Sequence, residues 1–138
     1  GRIGVKIEEG IPMEKYLYDT KAYDSSLELK NINTSIDEVI VYGKIPRNSI
    51  AIPTITGESY SPDFMYVVKK DNGEKELNIV VETKGVENKS TLRGIEEAKI
   101  QCAKVFFNNL SAQGYNVYFR TQLNNKKILQ IVKDVLQE

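Results

Sequence analysis

The sequence predicts an α/β domain in which a mixed central β-sheet carries helices on both faces. Three observations point there. Two apolar runs, Tyr60–Lys69 and Glu76–Thr83, flank Asp71-Asn72-Gly73, and an Asn-Gly between apolar runs is a strong hairpin signal. The second run is apolar on both faces, with Leu77, Ile79 and Val81 against Val80, which suits a central strand covered on both sides. From Ile95 the apolar spacing becomes helical and then returns to alternation. A length of 138 residues fits one domain, and 41% hydrophobic with 28% charged residues is the composition of a chain that folds around a core.

Through Ile11-Pro12 no period is visible, and residues 1–19 read as an approach segment to a core over 20–138. A helix is predicted over Asp24–Ile32, its start marked by Ser25 and by Glu28 three residues later, the spacing of a capping box. Val39-Ile40-Val41-Tyr42 is β-branched and aromatic, and it stops at Gly43 and Pro46. Ser49–Thr56 alternates as Ile50, Ile52 and Ile55 around Pro53, an edge or interrupted strand. After the hairpin, Ile95, Ala98, Cys102, Val105, Phe106 and Asn109 fall on one helical stripe that stops at Gly114. Tyr115–Thr121 alternates as a strand. Asn124 is then placed to cap a last helix carrying Ile128, Leu129, Ile131, Val132, Val135 and Leu136.

The residues that are missing exclude much chemistry. With no histidine there is no imidazole base, no Ser-His-Asp triad and no His-ligated zinc. The single cysteine, Cys102, can form no internal disulfide and no Cys-rich metal site, so a reducing, cytoplasmic setting is expected. The longest purely apolar run is the five residues Phe64–Val68, so no membrane-spanning helix is expected. Neither GxGxxG nor GxxxxGK[ST] occurs. What remains is carboxylate, lysine, tyrosine and hydroxyl chemistry, with an oxygen-preferring metal such as Mg²⁺ as the natural partner. A net charge of zero argues against nucleic-acid binding by bulk attraction alone. The chain begins at Gly1 rather than Met, so it is expected to be a fragment of a longer chain.

One constellation could carry chemistry. Pro62-Asp63 opens one hairpin arm and Glu82-Thr83-Lys84 closes the other. Side chains i and i+2 share a face of a strand, so Glu82 and Lys84 point the same way, and the hairpin sets Asp63 beside them. The acid-x-base triplet means nothing alone, since five occur in the chain. Only this one ends a doubly buried strand whose partner carries the Pro-Asp, where charges are costly unless paired or metal-bound. On pattern alone, a catalytic centre and a solvated strand end with a turn aspartate both fit.

Ser61-Pro62-Asp63-Phe64 followed by Val80-Val81-Glu82-Thr83-Lys84-Gly85 resembles the signature of PD-(D/E)xK nucleases. More closely, the chain resembles the C-terminal endonuclease domain of the Res subunit of type III restriction enzymes. The likeness runs through Asp24–Glu28, Lys44-Ile45-Pro46, Ile52–Thr54, the two nuclease blocks and Glu97–Lys104, about residues 20–121.

The resemblance implies a restriction-endonuclease-like core and a Mg²⁺-dependent DNA endonuclease leaving 5′-phosphate ends. It implies that Asp63 and Glu82 ligate Mg²⁺ with the Thr83 backbone carbonyl, and that Lys84 activates or positions the attacking water. Glu28 matches the family's helix-borne acid and could contact a second metal or its water; its capping box with Ser25 explains it equally well. The implied partners are double-stranded DNA, a methyltransferase (Mod) subunit that reads sequence, and a helicase-like motor of the same Res chain. ATP would enter only through that motor, which is absent from this chain. A catalytically silent docking module and a stand-alone repair or junction-type nuclease are the alternatives. Lys99 falls on the apolar stripe, either snorkelling from the core edge or reaching a phosphate. Cys102, Phe106 and Phe107 read as core or near-core packing, and Tyr115 and Tyr118 as strand packing. Lysines between Lys84 and Lys104, with Arg93 and Lys126-Lys127, could form a basic rim or a solvated face.

Overall fold

A computed structural model describes residues 6–8, 13–46, 49–54, 57, 59–70, 76–87 and 94–138. In chain order the elements are β1 (Lys6–Glu8), β2 (Lys21–Tyr23), α1 (Ser26–Ile32), β3 (Val39–Lys44), β4 (Ile52–Pro53) and β5 (Ser59–Tyr60). They continue with β6 (Phe64–Lys69), β7 (Glu76–Lys84), α2 (Gly94–Ala112), β8 (Val117–Leu123) and α3 (Ile128–Leu136). The central sheet is mixed, in the order β3-β6-β7-β8: β6 runs antiparallel to both β3 and β7, and β8 runs parallel to β7 across α2. The pairs β1–β2 and β4–β5 form two small antiparallel ribbons.

Alternation along β7 builds a core on each side of the sheet. Leu77, Ile79 and Val81 face one side, where they pack with Ile32 of α1 and with Ile128, Ile131, Val132 and Val135 of α3. Val80 faces the other, where Ile100, Ala103 and Phe107 of α2 cover it together with Phe119, Ile52 and Tyr60. The doubly covered central strand expected from the sequence is therefore β7. Tyr42 and Tyr66 stack across β3 and β6 with ring centroids 5.3 Å apart, and the Tyr42 hydroxyl donates to the Ile32 carbonyl, fastening α1 to the sheet.

α1 starts as its sequence suggests. Ser25 is the N-cap, its Oγ accepting from the Glu28 N–H at 3.1 Å, and Glu28 Oε1 reaches back to the Asp24 N–H at 3.3 Å. Ser25→Ala is expected to cost about 1 kcal/mol, read as a lower denaturant midpoint at unchanged slope. α2 ends in a Schellman turn: Gly114 (φ 100°) donates to Ser111 and Tyr115 to Leu110.

Four expectations are corrected. The face of α2 turned to the sheet is Ile100, Ala103 and Phe107, while Ala98, Val105 and Asn109 of the expected stripe are exposed. α2 is apolar on two sides, so spacing alone did not select the buried one. Of Ser49–Thr56, only Ile52 and Pro53 are strand among the described residues, pairing with Tyr60 and Ser59. β8 begins at Val117, because the Schellman turn uses Tyr115, which is 62% exposed. Lys127 rather than Asn124 is the N-cap of α3, and Asn124 instead bonds to Val86 and Glu87. The approach segment also takes part in the fold: β1 pairs with β2, and Tyr16 is buried against Tyr42. The turn over residues 71–75 lies outside the described residues.

Candidate active site

The register of the β6–β7 hairpin brings the two carboxylates together. Phe64 pairs with Val81, so Asp63 falls opposite Glu82, and the Asp63 N–H donates to the Val81 carbonyl at 3.2 Å. Opposite residues of an antiparallel pair share a face, here the α2 side that Val80 also faces. Asp63 is held from β7 as well: its Oδ2 accepts from the Thr83 N–H at 2.8 Å and from the Thr83 hydroxyl at 2.6 Å. The Asp63 carbonyl accepts from the Ile45 N–H at 2.7 Å, tying the site to the end of β3.

Glu82 is only 4% exposed. Burial, and then the Asp63 carboxyl beside it, pushes its pKa up to about 10, against the opposing influence of Tyr60 and Lys84. Lys84 is half-buried on the same face, and its ammonium forms no salt bridge among the described residues.

Glu28 closes the capping geometry of α1, and it lies near enough to Asp63 to feel its charge. Burial raises its pKa although Lys44 Nζ sits 2.6 Å from Oε1. Lys44 also reaches Asp24 at 2.9 Å; burial works to lower its pKa, and the two carboxylates outweigh that and raise it. Sequence reasoning did not weigh Lys44 as a site residue, because its partners lie 16 and 20 positions back. The Lys44-Ile45-Pro46 block was the available signal.

Other residues stand apart. Lys99 is half-buried, and among the described residues no hydrogen bond or ion pair joins it to Asp63, Glu82 or Lys84. Cys102 and Phe106 border the α2-side core, Phe107 lies within it, and Tyr118 borders the opposite core. Lys126 pairs with Asp134 at 3.3 Å, while residues 88–93, including Arg93, lie outside the described set.

The donor set suits a hard divalent cation. Two carboxyls stand side by side at a strand end, and the buried one is driven to hold a proton because burial and the neighbouring carboxyl outweigh the charge of Lys84. Among the described residues no three acidic, histidine or cysteine side chains gather into one metal-holding group, so this pair is the candidate.

The family described as Endonuclease domain matches over residues 14–126. The chain belongs to that endonuclease-domain family. This endonuclease domain is 47% identical over 126 residues to the Res subunit of the type III restriction-modification enzyme EcoP15I of Escherichia coli, covering 91% of the chain and 13% of that subunit. Against the EcoPI Res subunit of Escherichia phage P1 it is 46% identical over 126 residues, with the same shares. The StyLTI Res subunit of Salmonella typhimurium strain LT2 is 29% identical over 100 residues, 72% of the chain and 10% of that subunit. The domain thus spans 13% of the length of its first two relatives. No solved structure matches it. The family resemblance and the mixed-sheet α/β architecture read from the sequence are both borne out. None of the described helices is long and apolar enough to cross a membrane.

Proposed function

We propose that this endonuclease domain is the DNA-cleaving module of a type III restriction enzyme. It would hydrolyse phosphodiesters with a divalent cation, Mg²⁺ by expectation, held between Asp63 and Glu82. The observation that carries the reading is Asp63 opposite Glu82 at one end of the sheet, with Lys84 two residues further along the same face. When bound, the cation supplies Lewis acidity toward a phosphoryl oxygen and a more acidic water.

The chain's own residues do the rest. Thr83 fixes Asp63 through Oδ2 and leaves Oδ1 free of that grip. Glu82 would hold the cation as its carboxylate. Lys84 orients the attacking water and brings positive charge to a centre that becomes more negative. Water adds at phosphorus, the bond to the 3′ oxygen breaks, and the products are a 5′-phosphate and a 3′-hydroxyl. The Thr83 carbonyl is a candidate further ligand, and Glu28, beside Asp63, is the nearest additional acid. The substrate is double-stranded DNA, and one site cuts one strand, so a double-strand break needs two copies. Sequence reading by a Mod subunit and ATP-driven movement by a Res motor would lie outside this chain, in keeping with its 13% share of the related Res subunits.

The test is plasmid nicking by the chain at high concentration with Mg²⁺ or Mn²⁺, with and without chelator, beside calorimetric titration of the cation. Cutting that needs the metal and disappears in Asp63→Ala is the expected result. A chain that neither binds the cation nor cuts overturns the reading and leaves a docking module in its place.

A further inference from the structure

Two buried hydroxyls flank Glu82, and among the described residues neither makes a hydrogen bond of normal geometry. Tyr60 is 9% exposed; its hydroxyl stands close beside the Glu82 carboxyl without a bond of normal geometry. Thr121 is the register partner of Glu82 in the parallel β7–β8 pair, so the two side chains rise from the same face of the sheet. Its Oγ1 is buried and unpartnered too. They approach from different directions, Tyr60 from the β4–β5 ribbon and Thr121 from the neighbouring sheet strand.

A buried hydroxyl left without a partner is destabilising. Two of them beside one carboxyl make sense if its oxygens accept from them while it holds a cation. A carboxylate has several lone pairs to fill, and only one or two of them can point at a cation. The β4–β5 ribbon also gains a purpose, since its short pairing with Ile52 and Pro53 brings Tyr60 over Glu82.

We propose that Tyr60 and Thr121 are positioning residues that donate their hydroxyls to the Glu82 carboxylate and set it in the orientation that holds a divalent cation. This rests on the reading that Asp63 and Glu82 hold that cation. Hydrogen-bonded partners of metal-ligating carboxylates commonly contribute 10–100-fold to metal affinity.

The experiment titrates Mg²⁺, and Ca²⁺ as a second probe, into wild type, Tyr60→Phe, Thr121→Val, Thr121→Ser and Glu82→Gln by calorimetry. Metal-free melting curves and cleavage against Mg²⁺ concentration accompany each. Tyr60→Phe and Thr121→Val are expected to weaken the cation about 10-fold or more each, and to raise by a similar factor the Mg²⁺ concentration that half-saturates cleavage. Thr121→Ser restores the affinity. Without metal, Tyr60→Phe melts no lower than wild type, because it removes an unpartnered hydroxyl; a merely structural tyrosine would melt lower. Wild-type affinity in both hydroxyl variants, with Glu82→Gln unable to bind, overturns this inference and leaves the cation site standing. A wild type that binds no cation overturns both.

Discussion

Lys84→Ala is expected to lower the single-turnover cleavage rate by about 10²–10³-fold while divalent-cation affinity changes little. The separation follows from the geometry. Asp63 and Glu82 face each other directly, and Thr83 holds Asp63 through two hydrogen bonds that do not involve the lysine side chain. Lys84 sits past that pair, half-buried and with no salt bridge among the described residues. Its charge acts on Glu82 without closing an ion pair, which leaves the ammonium able to meet a phosphate. Removing it takes away stabilisation that matters most as negative charge builds at phosphorus. Asp63→Ala should instead lose cation binding and cleavage together. Equal losses of binding and rate in both variants would show that Lys84 holds the site together and does not act on the substrate.

The second large effect concerns Glu82 and pH. In the metal-free protein its pKa is pushed from 4.5 up to about 10 by burial and then by Asp63. A folded-state pKa above the unfolded one means that the folded form prefers the neutral acid. The stability this group contributes is full below about 4.5 and is lost as pH rises toward 10. Glu82→Gln keeps the shape without the titration. At pH 8 the metal-free variant should therefore be more stable than wild type, by an amount on the order of a few kcal/mol, and the gap should shrink toward pH 5. Metal entry into wild type should release about one proton per site at pH 7, read by calorimetry in buffers of different ionisation enthalpy. A gap that does not depend on pH, or no proton release, would contradict the assignment of Glu82.

The parts of this molecule that could be read from its sequence are those governed by local pattern. The Asn-Gly between two apolar runs, the two-sided apolarity of β7 and the Ser25–Glu28 spacing each act over a few residues, and each gave the right element. The meeting of Asp63 and Glu82 followed, because hairpin register is simple arithmetic once the turn is known. The orientation of α2 did not follow, since Val105 and Phe106 offer a second apolar side and only the sheet decides which one is buried. The Lys44 contacts to Asp24 and Glu28, the placement of Tyr60 by a two-residue strand, and the buried Asn31–Gln122 pair join positions distant in the chain. Local spacing carries no trace of such contacts.

The parallel pairing of β7 with β8 across the whole of α2 bears on the order in which the molecule assembles. The β6–β7 hairpin closes over a short loop and can bring Asp63 and Glu82 together early. The β7–β8 ladder must wait for a 19-residue helix to form and dock, a closure that costs more chain entropy and is slower. Thr121 meets Glu82, and Leu123 meets Lys84, only in that ladder. The acids are therefore expected to come together while the chain is still partly folded, and the neighbours that steady Glu82 and Lys84 only near the end. Cutting power would then emerge with the final native pairing, so a half-formed or half-synthesised chain would carry the carboxylates of a nuclease without the frame that holds them ready.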